Sequence, residues 1–321
     1  MACYHPVHGY ESKWLTPNGK RTMVMSVKDS FEARPRVRNC GYCVGCRLEK
    51  SRQWAIRCTH EASLYSFNSF LTLTYDNDYL PEYGSLDKKA YPLFMKRLRK
   101  RFVGMDAIEY VTPKGVEMRH RPIRYFHCGE YGPKTNRPHY HALVFNFDFP
   151  DKVFVGQSKA GYNMYGSYAL QELWPFGRAY VASVEFKSSA YVARYCMEKA
   201  NGDLAYQRYG IFDPYTGELV ASRQPEYATM SRRPGIGRLW YDEFKSDVYP
   251  GDFVVMNGKK MRPPKYYDGL YEIDNSELFE ELKYFRYQKG LRHVKNNTPD
   301  RLAVREVCAE KRLKLLIRDL E

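Results

Sequence analysis

The chain has 321 residues, 44% of them hydrophobic, enough apolar mass for one large domain or two ordinary ones and too much for a disordered chain. No run of about 18 apolar residues occurs, and Met1-Ala2-Cys3-Tyr4-His5-Pro6 lacks the apolar core of a secretion signal, so a soluble, cytoplasmic protein with no membrane partner is expected. Lysine and arginine number 51 against 37 acidic residues, and the resulting +14 points to phosphate-bearing partners rather than acidic small molecules.

Residues 1–46 read as irregular: Pro17-Asn18-Gly19 is a turn sequence, and Cys40-Gly41-Tyr42-Cys43-Val44-Gly45-Cys46 is a knot whose glycines allow tight backbone. Three of the eight cysteines are thus spaced for metal rather than for disulfides. With Cys3 or His5 from the N-terminal arm as fourth ligand, Cys40, Cys43 and Cys46 suit a structural zinc ion, a three-plus-one iron–sulfur cluster being the alternative. A helix is predicted from Arg47 to Tyr65, where Trp54, Cys58, Ala62 and Tyr65 recur at three- to four-residue spacing. Phe70–Tyr75 alternates like a strand and is stopped by Asp76-Asn77-Asp78 and Pro81.

Lys88–Phe102 reads as a basic amphipathic helix with Phe94, Leu98 and Phe102 on one side. Its Lys96, Arg97, Arg99, Lys100 and Arg101, with no acid among them, suit tracking of a DNA backbone; the plainer alternative is a solvated face. Ile123–Cys128 and His139–Phe147 are strands that should pair antiparallel across the turn-forming stretch 129–137. Ala179–Phe186 is a further strand, after which Ser188-Ser189 caps a helix that Asn201-Gly202 ends. This mixed order favours an α+β fold, helices on an antiparallel sheet, over a doubly wound one. Beyond Gly202 the chain reads as turn-rich to about Asp268, and then as a charged helical tail. The expected division is a Cys-rich segment and helix at 1–66, a core at 67–202, a turn-rich extension packed on it at 203–270 and the tail at 271–321.

Three elements carry chemistry. In Arg137-Pro138-His139-Tyr140-His141 the two histidines sit two residues apart in a strand, so both imidazoles project from one face of the pleat. Glu130, at the turn end of the preceding strand, would swing across the hairpin to complete a divalent metal site. On the predicted helix, with Tyr191 at zero on the wheel, Tyr195 falls near 40° and Lys199 near 80°, while Val192, Ala193, Cys196, Met197 and Ala200 form the core-facing stripe at about 100° per residue. A phenol opposite a metal suits phosphoryl transfer: the ion polarises a phosphate oxygen, tyrosine supplies the attacking oxygen, and Lys199 adds positive charge. Arg194, on the same helix, joins the DNA-binding cations.

In that order the motifs resemble those of rolling-circle replication initiators of the HUH endonuclease superfamily. Phe70–Tyr75 is similar to their first motif, Arg137–His141 to their HUH motif, and Tyr191–Lys199 to their tyrosine motif. Cys128-Gly129-Glu130-Tyr131-Gly132, Tyr191-Val192-Ala193-Arg194-Tyr195, Met230–Gly237 and the Cys40–Cys46 segment resemble the initiators of microviruses, gokushoviruses in particular, so that the likeness spans roughly residues 1–270. The resemblance implies an HUH fold with a central, about five-stranded antiparallel sheet and flanking helices. It implies magnesium or manganese at Glu130, His139 and His141, nicking of the origin by Tyr191 and Tyr195, a 5′-phosphotyrosine intermediate and rejoining of the ends. Single-stranded and replicative-form DNA would be the substrates, in the host cytoplasm. No Gly-x-x-x-x-Gly-Lys-Ser/Thr occurs, so a host helicase is expected to unwind and a host polymerase to extend the DNA. A transposase or relaxase would use the same site, and a non-catalytic, zinc-stabilised DNA-binding protein is the reading from another class.

Overall fold

The computed structural model describes residues 3–17, 19–102, 110–111, 117–118, 123–132, 135–158, 161–184, 192 and 203–315. Two compact units are formed, one from Met1–Lys50 with Lys283–Ile317, the other from Ser51–Leu282.

The N-terminal stretch is not irregular. Strands β1 (Val7–Leu15), β2 (Arg21–Val24) and β3 (Ser30–Arg38) make a three-stranded antiparallel sheet in the order β2-β1-β3. The pattern is unreadable in the sequence because β3, Ser-Phe-Glu-Ala-Arg-Pro-Arg-Val-Arg, is exposed along its last seven residues, so no apolar face repeats every second position. Both pairings of β1 also shift register, which breaks the alternation a second time. Helix α1 (Val44–Ala62) follows, beginning three residues before its predicted start.

The larger unit is built on β4 (Asn68–Leu73), followed by α2 (Ala90–Arg101), the short pair β5 (Tyr110–Val111) and β6 (Glu117–Met118), then β7 (Arg124–Tyr131), β8 (Pro138–Phe145), β9 (Val153–Gln157), β10 (Asn163–Gly166), α3 (Tyr168–Leu173) and β11 (Ala179–Ser183). Residues 203–274 hold more regular structure than their turn residues promise. They form α4 (Asp203–Tyr209), the hairpin β12 (Gly210–Phe212) and β13 (Leu219–Ser222), β14 (Tyr227–Met230), α5 (Arg238–Val248), the hairpin β15 (Val254–Met256) and β16 (Lys259–Met261), and α6 (Lys265–Asp274). These strands are only three or four residues long, below the window over which alternation declares itself. Helices α7 (Ser276–Leu291) and α8 (Pro299–Lys314) close the described chain, as the helical tail predicts.

The fold is α+β, and its central sheet has seven strands in the order β14-β7-β8-β4-β11-β10-β9, every pairing antiparallel. Strand β8 lies near its middle and is buried along its whole length. On one face Leu71, Leu73, Tyr140, Ala142 and Val144 pack with Tyr91, Phe94 and Leu98 of α2 and with Leu170, Leu173 and Trp174 around α3. On the other, Phe70, Phe126, Leu143 and Phe145 pack with Cys58 of α1, Ile236 and Val192. Each large side chain so buried contributes about 1.5–3 kcal/mol, which fixes which side of β8 faces which layer. Beyond β4 the chain closes tightly on β11: a Cβ at Gly177 would lie 2.6 Å from the Thr74 carbonyl and the Asp76 nitrogen, so only glycine fits. Thr74 and Asp76 thereby donate N–H bonds to the carbonyls of Arg178 and Phe176.

Candidate metal centre and active site

His139 and His141 stand on β8 on the face shared with Phe70 and Leu143, as their two-residue spacing requires. Glu130 needs no swing to join them. In the β7–β8 ladder it is the direct partner of His139, and Cys128 is the partner of His141. Glu130 Oε1 lies 3.0 Å from His139 Nε2 and 2.9 Å from His141 Nε2. All three are buried, and their ligand atoms lie within 4.8 Å of one another.

The environment sets each ring for coordination. The His139 Nδ1–H donates to the Arg137 carbonyl at 3.2 Å, which leaves the Nε2 lone pair facing the Glu130 carboxylate. His141 Nδ1 lies 3.1 Å from Thr72 Oγ1, across β4, and its ring stacks on Phe70 at 5.4 Å. A lone pair facing a carboxylate oxygen at 3.0 Å is repulsive unless a cation lies between them. Two nitrogens about 3 Å from one oxygen are the spacing of adjacent donors around an ion with bonds of about 2.1 Å. The second oxygen, Glu130 Oε2, is buried and lacks a hydrogen-bond partner. The residues therefore fit a divalent cation. Burial opposes ionisation of Glu130, but His141 and His139 outweigh it and hold the carboxyl below its ordinary pKa.

Tyr191, Arg194, Tyr195 and Lys199 lie outside the described residues. Val192, between the two tyrosines in sequence, is described: it is buried in the cluster that includes Phe70, Cys128 and Leu143, on the sheet face that carries the triad. The basic helix α2 packs on the opposite face. There Arg97 donates to the Leu173 carbonyl, Arg99 to the Ile123 carbonyl, and Arg101 pairs with Glu172, while Lys96 and Lys100 are exposed. Sequence reasoning missed the residues beside the triad. Thr72, Thr74, Arg137, Met164, Arg178 and Tyr180 line a cavity of about 420 Å³ together with Tyr75 and Asp76. The strand pattern placed Thr72 in the first motif, yet only the register shows that it meets His141.

In the smaller unit the four sulfurs of Cys3, Cys40, Cys43 and Cys46 lie within 4.8 Å of one another. Cys3 is the fourth member; His5 turns away to Glu306 at 2.7 Å. The Cys3–Cys40 and Cys40–Cys46 sulfur separations of 3.6 and 3.9 Å bracket the value of about 3.8 Å that a tetrahedral zinc with bonds of about 2.3 Å requires. The N–H groups of Cys40, Cys43 and Cys46 donate to the sulfurs of Cys3, Cys40 and Cys43. Burial opposes the Cys43 thiolate, but N–H donation from Tyr4 and Cys46 brings its pKa down to about 7.

Residues 68–200 match the family model of the replication-associated protein ORF2. The replication-associated protein VP4 of Bdellovibrio phage phiMH2K is 32% identical over 245 residues, 75% of this chain and 70% of its own length. The chain belongs to the phage replication-associated protein family. Within it, the replication-associated protein ORF2 of Spiroplasma virus 4 is 32% identical over 75% of this chain and 69% of its own. The replication-associated protein ORF4 of Chlamydia phage 1 is 33% identical over 79% and 59%. No solved structure gives a significant match. The family is that of microvirus-type rolling-circle initiators, as the motifs imply, and its role is in phage replication. The family match spans the metal centre of this replication-associated protein, β4, β7 and β8 included.

Proposed function

We propose that this replication-associated protein is an HUH-type endonuclease and strand transferase, which nicks single-stranded DNA at a phage origin and rejoins the ends. The observation that carries the reading is the placement of Glu130 opposite His139 and beside His141, buried on the sheet face into which Val192 packs. A divalent ion, magnesium or manganese, held by Glu130, His139 and His141 would supply Lewis acidity toward a non-bridging phosphate oxygen. Arg137 and Thr72 orient the imidazoles through their Nδ1 atoms. The Tyr191 or Tyr195 hydroxyl attacks phosphorus in line, its proton passing to solvent or a neighbouring base. The P–O3′ bond breaks, leaving a 5′-phosphotyrosine and a 3′ hydroxyl, and Lys199 stabilises the phosphate charge. The 3′ hydroxyl is the primer a host polymerase extends, after host helicase unwinding, in the cytoplasm of the infected cell. Attack of a 3′ hydroxyl on the phosphotyrosine reverses the step and joins the ends. Arg194 contacts the strand.

The test is cleavage of origin single strand with manganese and with a chelator, followed by mass mapping of the tyrosine joined to DNA. Chelator-sensitive cleavage with an adduct on Tyr191 or Tyr195 is expected; cleavage unaffected by the His139→Ala, His141→Ala double variant would overturn the reading. At Cys3, Cys40, Cys43 and Cys46 the proposal is structural zinc. One zinc per chain, read by elemental analysis of freshly purified protein, is expected, and iron or neither metal would refute it.

A further inference from the structure

The cavity beside the triad lies on the same sheet face as the histidines. Tyr180 is the direct cross-strand partner of Thr72, and Thr72 of His141, so the three side chains form one row across β11, β4 and β8. With strands about 4.8 Å apart, Tyr180 stands about 10 Å from His141, the reach of one to two nucleotides from a phosphate at the metal centre. Arg178, two residues before Tyr180, faces the same way, and its carbonyl is held by the Thr74 N–H and hydroxyl. Met164 comes from β10, whose next residue, Tyr165, pairs with Val181 and faces the opposite core.

The lining has two kinds of surface. Arg178 brings an exposed guanidinium, and Arg137 a second one fixed by the Tyr75 carbonyl at 2.8 Å and by Asn77 Oδ1 at 2.7 Å. Opposite charge comes from the exposed carboxylate of Asp76, held in place through its own N–H bond to Phe176. The Tyr180 ring and the Met164 thioether, both half-buried, supply flat apolar walls. Cations for phosphate, an aromatic face for a base and an acceptor for a base amino group together match a nucleotide, and about 420 Å³ falls within the size range of small-ligand pockets. An inorganic anion would have no use for the walls, and an apolar ligand none for the charges.

We propose that this cavity holds one nucleotide of the cut strand, within two positions of the scissile phosphate, and sets cleavage specificity there. Tyr180 stacks on the base, Asp76 accepts from an exocyclic amino group, and Arg178 pairs with the adjoining phosphate. The pocket therefore favours adenine, cytosine or guanine over thymine. The inference rests on the nuclease reading of the triad.

A single-stranded oligonucleotide library of random sequence, cut by the full chain with manganese and sequenced at the new ends, tests both. The parent should show a bias against thymine at one position within two nucleotides of the cut. Asp76→Ala, at an exposed site, should flatten that position and leave the others. Tyr180→Ala should cut about tenfold more slowly, the loss of one stacked base, and Tyr180→Phe should restore the rate. Cutting with the same base profile in the parent and in Asp76→Ala would overturn the pocket while the nuclease reading stands. Failure of the parent to cut any library member would overturn the nuclease reading and the pocket with it.

Discussion

Thr72 illustrates how one residue links a strand pattern to chemistry. Its type, in an alternating Thr-rich run, predicts only a strand; its place opposite His141 makes it the group that orients a metal ligand. Thr72→Val keeps the shape and the strand preference but removes the hydroxyl. Manganese affinity, read by calorimetry, should fall about 10- to 100-fold with the fold intact, and unchanged affinity would mean that packing on Phe70 alone orients the ring. A different histidine serves stability. His127 faces the opposite core, its ring stacked on Tyr91 at 3.7 Å and Nδ1 2.8 Å from Thr229 Oγ1. Burial pushes its pKa down to about 3. The unfolded imidazole titrates near about 6.5, so below that pH the unfolded chain binds a proton that the folded chain refuses. The contribution of His127 is complete above about pH 6.5 and is lost on acidification at about 1.4 kcal/mol per pH unit. His127→Phe keeps the stack and cannot titrate. Urea unfolding at about pH 7 and about pH 5 should show the pH loss reduced by about 2 kcal/mol, and an undiminished loss would mean that other groups carry it.

At the scale of elements, β7 and β8 were legible because a central strand buried on both faces carries its pattern in every residue, and the His139–His141 spacing followed from the pleat. The partner of each histidine was not legible, since spacing within one strand says nothing of the register of its neighbours. The basic helix marks a second limit. Periodicity gave α2 and its buried face of Tyr91, Phe94 and Leu98, but charge alone could not distinguish a cation awaiting phosphate from one already bonded to the protein. Arg97, Arg99 and Arg101 bond to Leu173, Ile123 and Glu172, on the side of the sheet away from the triad. If α2 tracks DNA, Lys96→Ala with Lys100→Ala should reduce the salt slope of single-strand binding by about 1.4, at about 0.7 per phosphate contact. The packing of α2 favours the opposite outcome, a slope within error of the parent, with the loss appearing instead in Arg178→Gln. Fluorescence anisotropy across a salt series distinguishes the two.

For the whole molecule, the larger unit follows from patterns local in sequence, whereas the smaller joins segments more than 200 residues apart, which no local pattern reveals. His5 meets Glu306 and Arg305 lies over the Tyr4 ring at 5.9 Å, contacts invisible to spacing arguments. Around Cys3, Cys40, Cys43 and Cys46 the apolar cluster is small, Tyr4 being its one further member among the described residues, while β3 is exposed along most of its length. So little buried surface cannot by itself offset the ordering of these strands, whose backbones cost about 1–2 kcal/mol per residue to fix. Metal binding by the four sulfurs should therefore contribute much of the folding free energy of this unit. Removing the zinc with a strong chelator should strip hydrogen-exchange protection from β1, β2 and β3 and leave it in β4, β7 and β8, whose cores contain no metal-bound sulfur. Cys3→Ser should give the same pattern without chelator, because it removes one ligand and leaves the triad untouched. Protection of β1–β3 that survives both treatments would show that the tetrad is not the staple of the unit, and loss throughout the central sheet would show that the two units do not fold independently.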